Sequence, residues 1–124
     1  GEKLMPEFNA EERDGRNVAF PLKSEEEIYI GEIGCIDATG VAVAAKAAAG
    51  LKAIGRVEKV ENGVVLFRKG VFLYQNDSSD SLSDADVGAD CYISNSTTVC
   101  KTGTSKSKAG TVFAVADGGV WVKF

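Results

Sequence analysis

The chain has 124 residues, 44% of them hydrophobic, and a formal net charge of −4. That describes one small domain with enough apolar material for a real core, which argues against disorder. No apolar run reaches the roughly 20 residues of a membrane helix, and an acidic total without a basic, aromatic-studded face argues against nucleic acid as a partner. The charge is unevenly spread. Residues 1–27 hold eight acids against Lys3, Arg13, Arg16 and Lys23, whereas the remainder balances ten acids with ten bases. No acid lies between Cys91 and Ala116, where Lys101, Lys106 and Lys108 stand. Two ordinary solvated surfaces are the simpler expectation; an acidic end and a basic stretch that meet head to tail in an oligomer is the other.

Residues 1–16 carry charged and polar residues around Leu4, Met5 and Phe8 with no sustained period. This stretch reads as a flexible N-terminal arm that orders against a partner, ahead of a single β domain over residues 17–124. Met5, the only methionine, is the expected natural start, which makes Gly1–Leu4 an expression remnant. No basic start followed by an apolar run announces secretion.

Val18–Leu22 reads as a short strand, and Pro21, which cannot donate to a ladder, places it at an edge or a bulge. Ile28, Ile30, Ile33 and Cys35–Ile36 supply the next strand material, interrupted by Gly31 and Gly34. Asp37-Ala-Thr-Gly40 is a turn signal, after which Val41–Val43 resumes. Ala44–Ala49 has the best helix propensity in the chain and Gly50 behind it as a cap. The run is too short to persist alone, so a connector is expected. Ile54–Val60 alternates, and Glu61-Asn62-Gly63 provides an Asn-Gly hairpin turn.

Gly63–Asn76, G-V-V-L-F-R-K-G-V-F-L-Y-Q-N, is the densest run of β-branched and aromatic residues. Two geometries fit it. Arg68-Lys69-Gly70 can close a three-residue hairpin, or Gly70 can mark a bulge where one long strand bends from one sheet to another. The lack of an Asn-Gly or Asp-Gly pair favours the bent strand.

Asp77–Asp86, D-S-S-D-S-L-S-D-A-D, offers the oxygen ligands of a Ca²⁺ loop but not EF-hand spacing. A solvated loop with Ser83 and Asp86 as an S-x-x-D cap is the better reading. Cys91–Ser94 and Thr97–Lys101 form a hairpin which, with Asn95-Ser96 as its loop, sets Cys91 opposite Cys100. Reduced thiols acting as small apolar residues are expected there, because directly opposed strand positions bridge only with strain. Thr102–Ala109 reads as a loop. Gly110–Val115 and Val120–Phe124 close the chain around the turn Ala116-Asp-Gly-Gly119, with Val120, Val122 and Phe124 on one face and Trp121 and Lys123 on the other. Phe124, with no polar tail after it, is expected to be tucked into the sheet. The sum is all-β: a small β-barrel or β-sandwich of about eight to ten short strands with at most one or two short helical turns.

Histidine is absent, which removes the commonest general base, the Ser-His and Cys-His nucleophile pairs and the commonest metal ligand. Three thiols without histidine make a poor zinc site, and the glycines match no phosphate-binding loop. No catalytic, cofactor-binding or metal-ligating residue is assigned, and no cofactor is expected. A binding or structural protein remains. Tyr74, Tyr92 and Trp121 are the candidate aromatic platforms for a carbohydrate.

The runs I-Y-I-G-E-I-G-C-I-D-A-T-G (Ile28–Gly40), G-L-K-A-I-G-R-V-E (Gly50–Glu58), V-L-F-R-K-G-V-F-L-Y-Q-N (Val65–Asn76), D-V-G-A-D-C-Y-I (Asp86–Ile93) and A-G-T-V-F-A-V-A-D-G-G-V-W-V-K-F (Ala109–Phe124) resemble the small capsid cement, or head-decoration, proteins of tailed bacteriophages and prophages. V-V-L-F-R-K-G-V-F-L-Y is also similar, at the level of pattern, to a strand of the lambda-type head-decoration protein. The resemblance spans Val18–Phe124 and carries no contact residue. It implies a non-enzymatic β domain on the capsid exterior, assembled in the bacterial cytoplasm. Its partner would be the major capsid protein and its state a homotrimer, with an arm that orders on the shell and no nucleic-acid or membrane partner. It also implies that Gly63–Asn76 is a bent strand through the middle of a barrel. The alternative function is a carbohydrate- or receptor-binding β module of a tail fibre or tip.

Overall fold

The computed structural model of the protein describes residues 10–124. The expectations for Gly1–Leu4, Met5 and the first part of the arm lie outside the described residues. Ala10–Arg16 is exposed and contains no helix or strand. Ten strands follow: β1 Asn17–Pro21, β2 Ile33–Ile36, β3 Ala42–Ala44, β4 Lys52–Glu61, β5 Val64–Arg68, β6 Val71–Asn76, β7 Asp90–Asn95, β8 Thr98–Cys100, β9 Lys108–Ala116 and β10 Gly119–Lys123. Among the described residues a single 3-10 turn covers Asp84–Asp86. The protein is all-β, as its spacing of short apolar runs and turn residues implies.

The strands divide into two sheets of five. One runs β1-β5-β4-β2-β3, and the other closes into a barrel in the order β10-β6-β8-β7-β9. The first sheet curls until its edges touch, because Leu22, just past β1, bridges Ala42 of β3 and the Lys23 amide donates to the Ala42 carbonyl at 3.0 Å. Pro21 stands at the end of edge strand β1, where its missing N–H costs nothing. The Asn-Gly and Asp-Gly hairpins fall where the sequence places them. Asn62 and Gly63 have φ of 53° and 72°, and Asp117 and Gly118 have 56° and 78°. These are the left-handed pairs of a type I′ turn, whose twist matches its flanking strands.

The stretch Gly63–Asn76 joins the two sheets. β5 pairs with β1 and β4 in the first, whereas β6 pairs with β10 and β8 in the second. The two halves do not pair with each other, so there is no hairpin at Arg68-Lys69-Gly70. The bend at Gly70 is a passage between sheets, and the stretch does not run through the middle of one barrel as the resemblance implies.

Each sheet has its own core. Within the curled sheet Val57, Val65 and Phe67 are fully buried, with Ile28, Ile36, Ala42 and Ile54 around them. The barrel encloses Cys91, Ile93, Val99, Val112, Val120 and Val122, and Ile33, Cys35, Val43 and Ala45 pack against that cluster from outside. All of β2 is therefore buried, one face to each core. This accounts for its unbroken small and apolar sequence. Gly34 in β2 lies under the Phe67 ring; a Cβ there would come within 2.1 Å of Cδ1.

Other expectations need correction. Ile28 and Ile30 are not strand residues: β2 starts only at Ile33, and a turn at Tyr29–Glu32 precedes it. Across β7 and β8, Tyr92 rather than Cys91 is opposite Cys100: the loop is Ser96-Thr97, one residue later than expected, and the register shift between Ile93 and Asn95 takes back one of the two positions this adds. Cys91 pairs with Gly110 of β9 instead. Ala45–Ala49 is a connector without helix. Ser83 and Asp86 make the foreseen cap, with the Ser83 amide donating to the Asp86 carboxylate at 2.8 Å.

Candidate interaction surfaces

The titratable groups are arranged for structure. Cys35, Cys91 and Cys100 are free and buried. Burial pushes the Cys35 thiol up to about 12 and Cys91 to about 11. Such thiols are neutral and poor nucleophiles. Among the described residues, the carboxyls that depart from their ordinary values are all held below them. Asp37 accepts from the Thr39 hydroxyl, and Asp77 accepts from Ser94 and then from the Ser79 amide. Asp80 accepts from the Thr102 amide at 2.8 Å. Glu58 takes the Arg56 guanidinium at 2.7 Å, with Arg68 at 3.6 Å. The Asp/Ser segment thus spends its oxygens on its own loop and on Ser94, Thr102 and Lys101, and no group of three or more acids or thiols among the described residues is placed to hold a metal ion.

The three aromatic candidates are scattered. Tyr74 is buried in the barrel, donates its hydroxyl to the Gly31 carbonyl at 2.8 Å and meets Phe124 edge-on at 5.8 Å. Tyr92 is half-buried against Gly103, where a Cβ would lie within 2.5 Å of its ring. Trp121 alone faces outward, half-buried on β10, with its indole N–H donating to Asp117 at 3.0 Å. It sits between Leu73 of β6 and Ala114 of β9. Phe113 is the extra residue of the bulge beside it and is 61% exposed. Leu73, Trp121 and Phe113 therefore form an apolar band on the outside of the barrel. The alternating pattern of β10 puts Trp121 outside, but the bulge that turns Phe113 out has no local signal.

Two further surfaces were not legible as sites. A groove of about 520 Å³ opens between the start of β4 and the end of the barrel where β9 begins and β10 finishes. Its apolar walls come from Leu51, Ala53, Ala109 and Phe124, and Lys52, Lys108 and Lys123 stand around it. Lys108 pairs with Asp90 at 3.1 Å. The other surface is the turn Tyr29-Ile30-Gly31-Glu32. The Glu32 amide closes it on the Tyr29 carbonyl at 3.2 Å, and Gly31 has φ 94°, as the third residue of a type II turn requires. Tyr29 is 62% and Ile30 71% exposed. Gly31 behind two large apolar residues was the available signal, obscured because the run also reads as strand material.

No family model, curated protein or solved structure matches the chain.

Proposed function

We propose that the protein is a structural virion component that binds the major capsid protein lattice on the outside of a tailed-bacteriophage or prophage-derived head and strengthens the shell. The observation that carries this reading is the resemblance of the strand runs between Val18 and Phe124 to capsid cement proteins. Three physical features support it. The body is packed through two cores that share β2. The apolar band of Leu73, Trp121 and Phe113 gives it a face that can be covered on docking. Free, buried thiols suit assembly in the reducing bacterial cytoplasm. The role needs no catalysis, and the protein acts as a homotrimer at the capsid exterior. The alternative of a carbohydrate-binding tail module loses Tyr74 and Tyr92 as platforms, since one is buried and the other packed.

The test is co-sedimentation of the purified protein with expanded heads of its own phage. Saturable binding that stabilises heads against heat or chelation is expected. Heads that pellet without it refute the proposal, and specific hits on a glycan array would favour the alternative.

A further inference from the structure

The Tyr29–Glu32 turn and the lysine-rimmed groove are complementary. The turn presents Tyr29 and Ile30 to solvent with Glu25, Glu27 and Glu32 close by in the chain. The Tyr29 hydroxyl donates to Glu27 at 3.2 Å and its amide to Glu32 at 2.7 Å. None of these three carboxylates has an ion-pair partner among the described residues. It is an apolar knob with Glu27 and Glu32 held against it. The groove is the inverse, an apolar hollow of about 520 Å³ with Lys52, Lys108 and Lys123 at its rim. Lys52 and Lys123 likewise have no ion-pair partner among the described residues.

The knob cannot fill the groove of its own chain. The Gly31 amide donates to the Val57 carbonyl at 2.8 Å, and the Val57 amide to the Glu32 carbonyl at 2.9 Å. The turn is thereby pinned to the middle of β4, while the groove opens at Lys52 and Ala53. Five residues of strand separate the two, about 16 Å. The pinning also fixes the shape of the knob before any encounter, which lowers the entropy lost on docking.

We infer that the occupant of the groove is a second copy of this chain, whose Tyr29-Ile30 turn seats between Leu51, Ala53 and Phe124 while Glu25 and Glu27 meet Lys52 and Lys123. The contact is heterologous, since knob and groove are different surfaces. Copies joined this way continue head to tail until a ring closes. This adds to the proposed decoration role the pair of surfaces through which copies meet. Its test uses no capsids, so it fails or stands separately from that role.

The experiment is sedimentation equilibrium of the full chain and of three variants: Glu25→Lys/Glu27→Lys on the knob, Lys52→Glu/Lys123→Glu on the groove, and Ile30→Asp. All the substituted residues are exposed, and unchanged melting temperatures establish that each variant is folded. The wild-type chain is expected to self-associate, more weakly as salt rises from roughly 0.05 to 0.5 M. Each variant alone is expected to associate at least about tenfold more weakly, as loss of a desolvated anchor or of its charge partners would produce. Mixing the knob and groove variants is expected to restore association between unlike chains, heterodimers first, because Lys now faces Glu. A wild-type chain that stays monomeric, variants that associate as the wild type does, or a mixture that fails to recover would each overturn the inference.

Discussion

Phe67 is the side chain on which the first sheet depends most heavily. It is fully buried, its ring lies 5.8 Å from that of Phe20, and it covers Gly34 on β2 two strands away. Truncation to alanine removes the ring from a site walled by strands on both sides and is expected to cost about 3–5 kcal/mol. With roughly 4 °C lost per kcal/mol at this size, the melting temperature should fall by about 12–20 °C. The sharper test is a cycle with Gly34→Ala. In the wild-type background the new methyl would stand 2.1 Å from Phe67 Cδ1, so the ring must move, at a cost near the upper end of the ~1–3 kcal/mol usual for overpacking. In the Phe67→Ala background the tightest remaining neighbour is the Gly55 carbonyl at 3.1 Å, and Gly34→Ala should become nearly neutral. A coupling of about 1.5 kcal/mol or more is expected from urea unfolding of the four proteins, against the ~0.5 kcal/mol within which independent sites add. Gly55→Ala serves as the control. Its methyl would meet the Arg68 carbonyl at 2.3 Å, a backbone clash that no side-chain truncation relieves. If Phe67→Ala and Gly34→Ala prove additive, the ring does not lie on Gly34 and the packing of the first sheet is wrong.

Gly70→Val brings a Cβ to within 3.1 Å of the Phe72 ring, and that ring is held between Arg56 at 4.1 Å and Phe124 at 6.2 Å. A loss of about 1–2 kcal/mol is expected, and an unaltered melting temperature would count against the bend. Acid should destabilise the protein along a definite limb. Asp37, Glu58, Asp77 and Asp80 have folded-state pKa values below their ordinary ones. Their contribution is complete above the unfolded carboxylate values and is lost as pH falls through the lower folded ones. The melting temperature should therefore hold from pH 7 to 5 and drop below about pH 4, and a flat profile to pH 3 would remove that account. The thiols give the opposite limb. Cys35 and Cys91 rise to about 12 and 11 in the folded chain, so their contribution is complete below the unfolded value of about 8.5 and is lost as pH rises towards 11 and 12. A thiol reagent at pH 8 should label none of the three buried cysteines until denaturant is added, and prompt labelling of the native protein would contradict their burial.

What the sequence made legible follows from the range over which each signal acts. The Asn62-Gly63 and Asp117-Gly118 turns are set by four adjacent residues and came out as written. So did the placing of Val120 and Val122 on one face of β10 and Trp121 on the other, because alternation is a local property of a strand. Partition of the strands between two sheets is not local. Arg68-Lys69-Gly70 is compatible with a hairpin or a passage, and what decides is that β5 finds β1 and β4 while β6 finds β10 and β8. The misplaced Cys91–Cys100 pairing has the same origin on a smaller scale. The loop at Ser96-Thr97 and one bulge between Ile93 and Asn95 together move the register by a residue, and β9, far along the chain, takes Cys91 for itself.

The candidate surfaces were harder to read for a related reason. Tyr29 and Ile30 look like core residues in the sequence, and only the bonds between Gly31, Glu32 and Val57 turn them outward. Lys52, Lys108 and Lys123 belong to three strands of two different sheets and meet only where the sheets abut. The inferred contact draws in part on the uneven charge of the chain, since Glu25 and Glu27 belong to the acidic first 27 residues and Lys108 to the stretch without acids. An asymmetry of charge along a chain says that two unlike patches exist. The fold must add that they carry matching apolar centres and lie too far apart on β4 to meet within one molecule. A barrel fused to a curled sheet through the bend at Gly70 gives that separation, because the knob is pinned to the middle of β4 and the groove lies where the start of β4 meets the end of the barrel. For such a body, head-to-tail contact between copies is the arrangement that brings both patches out of water together.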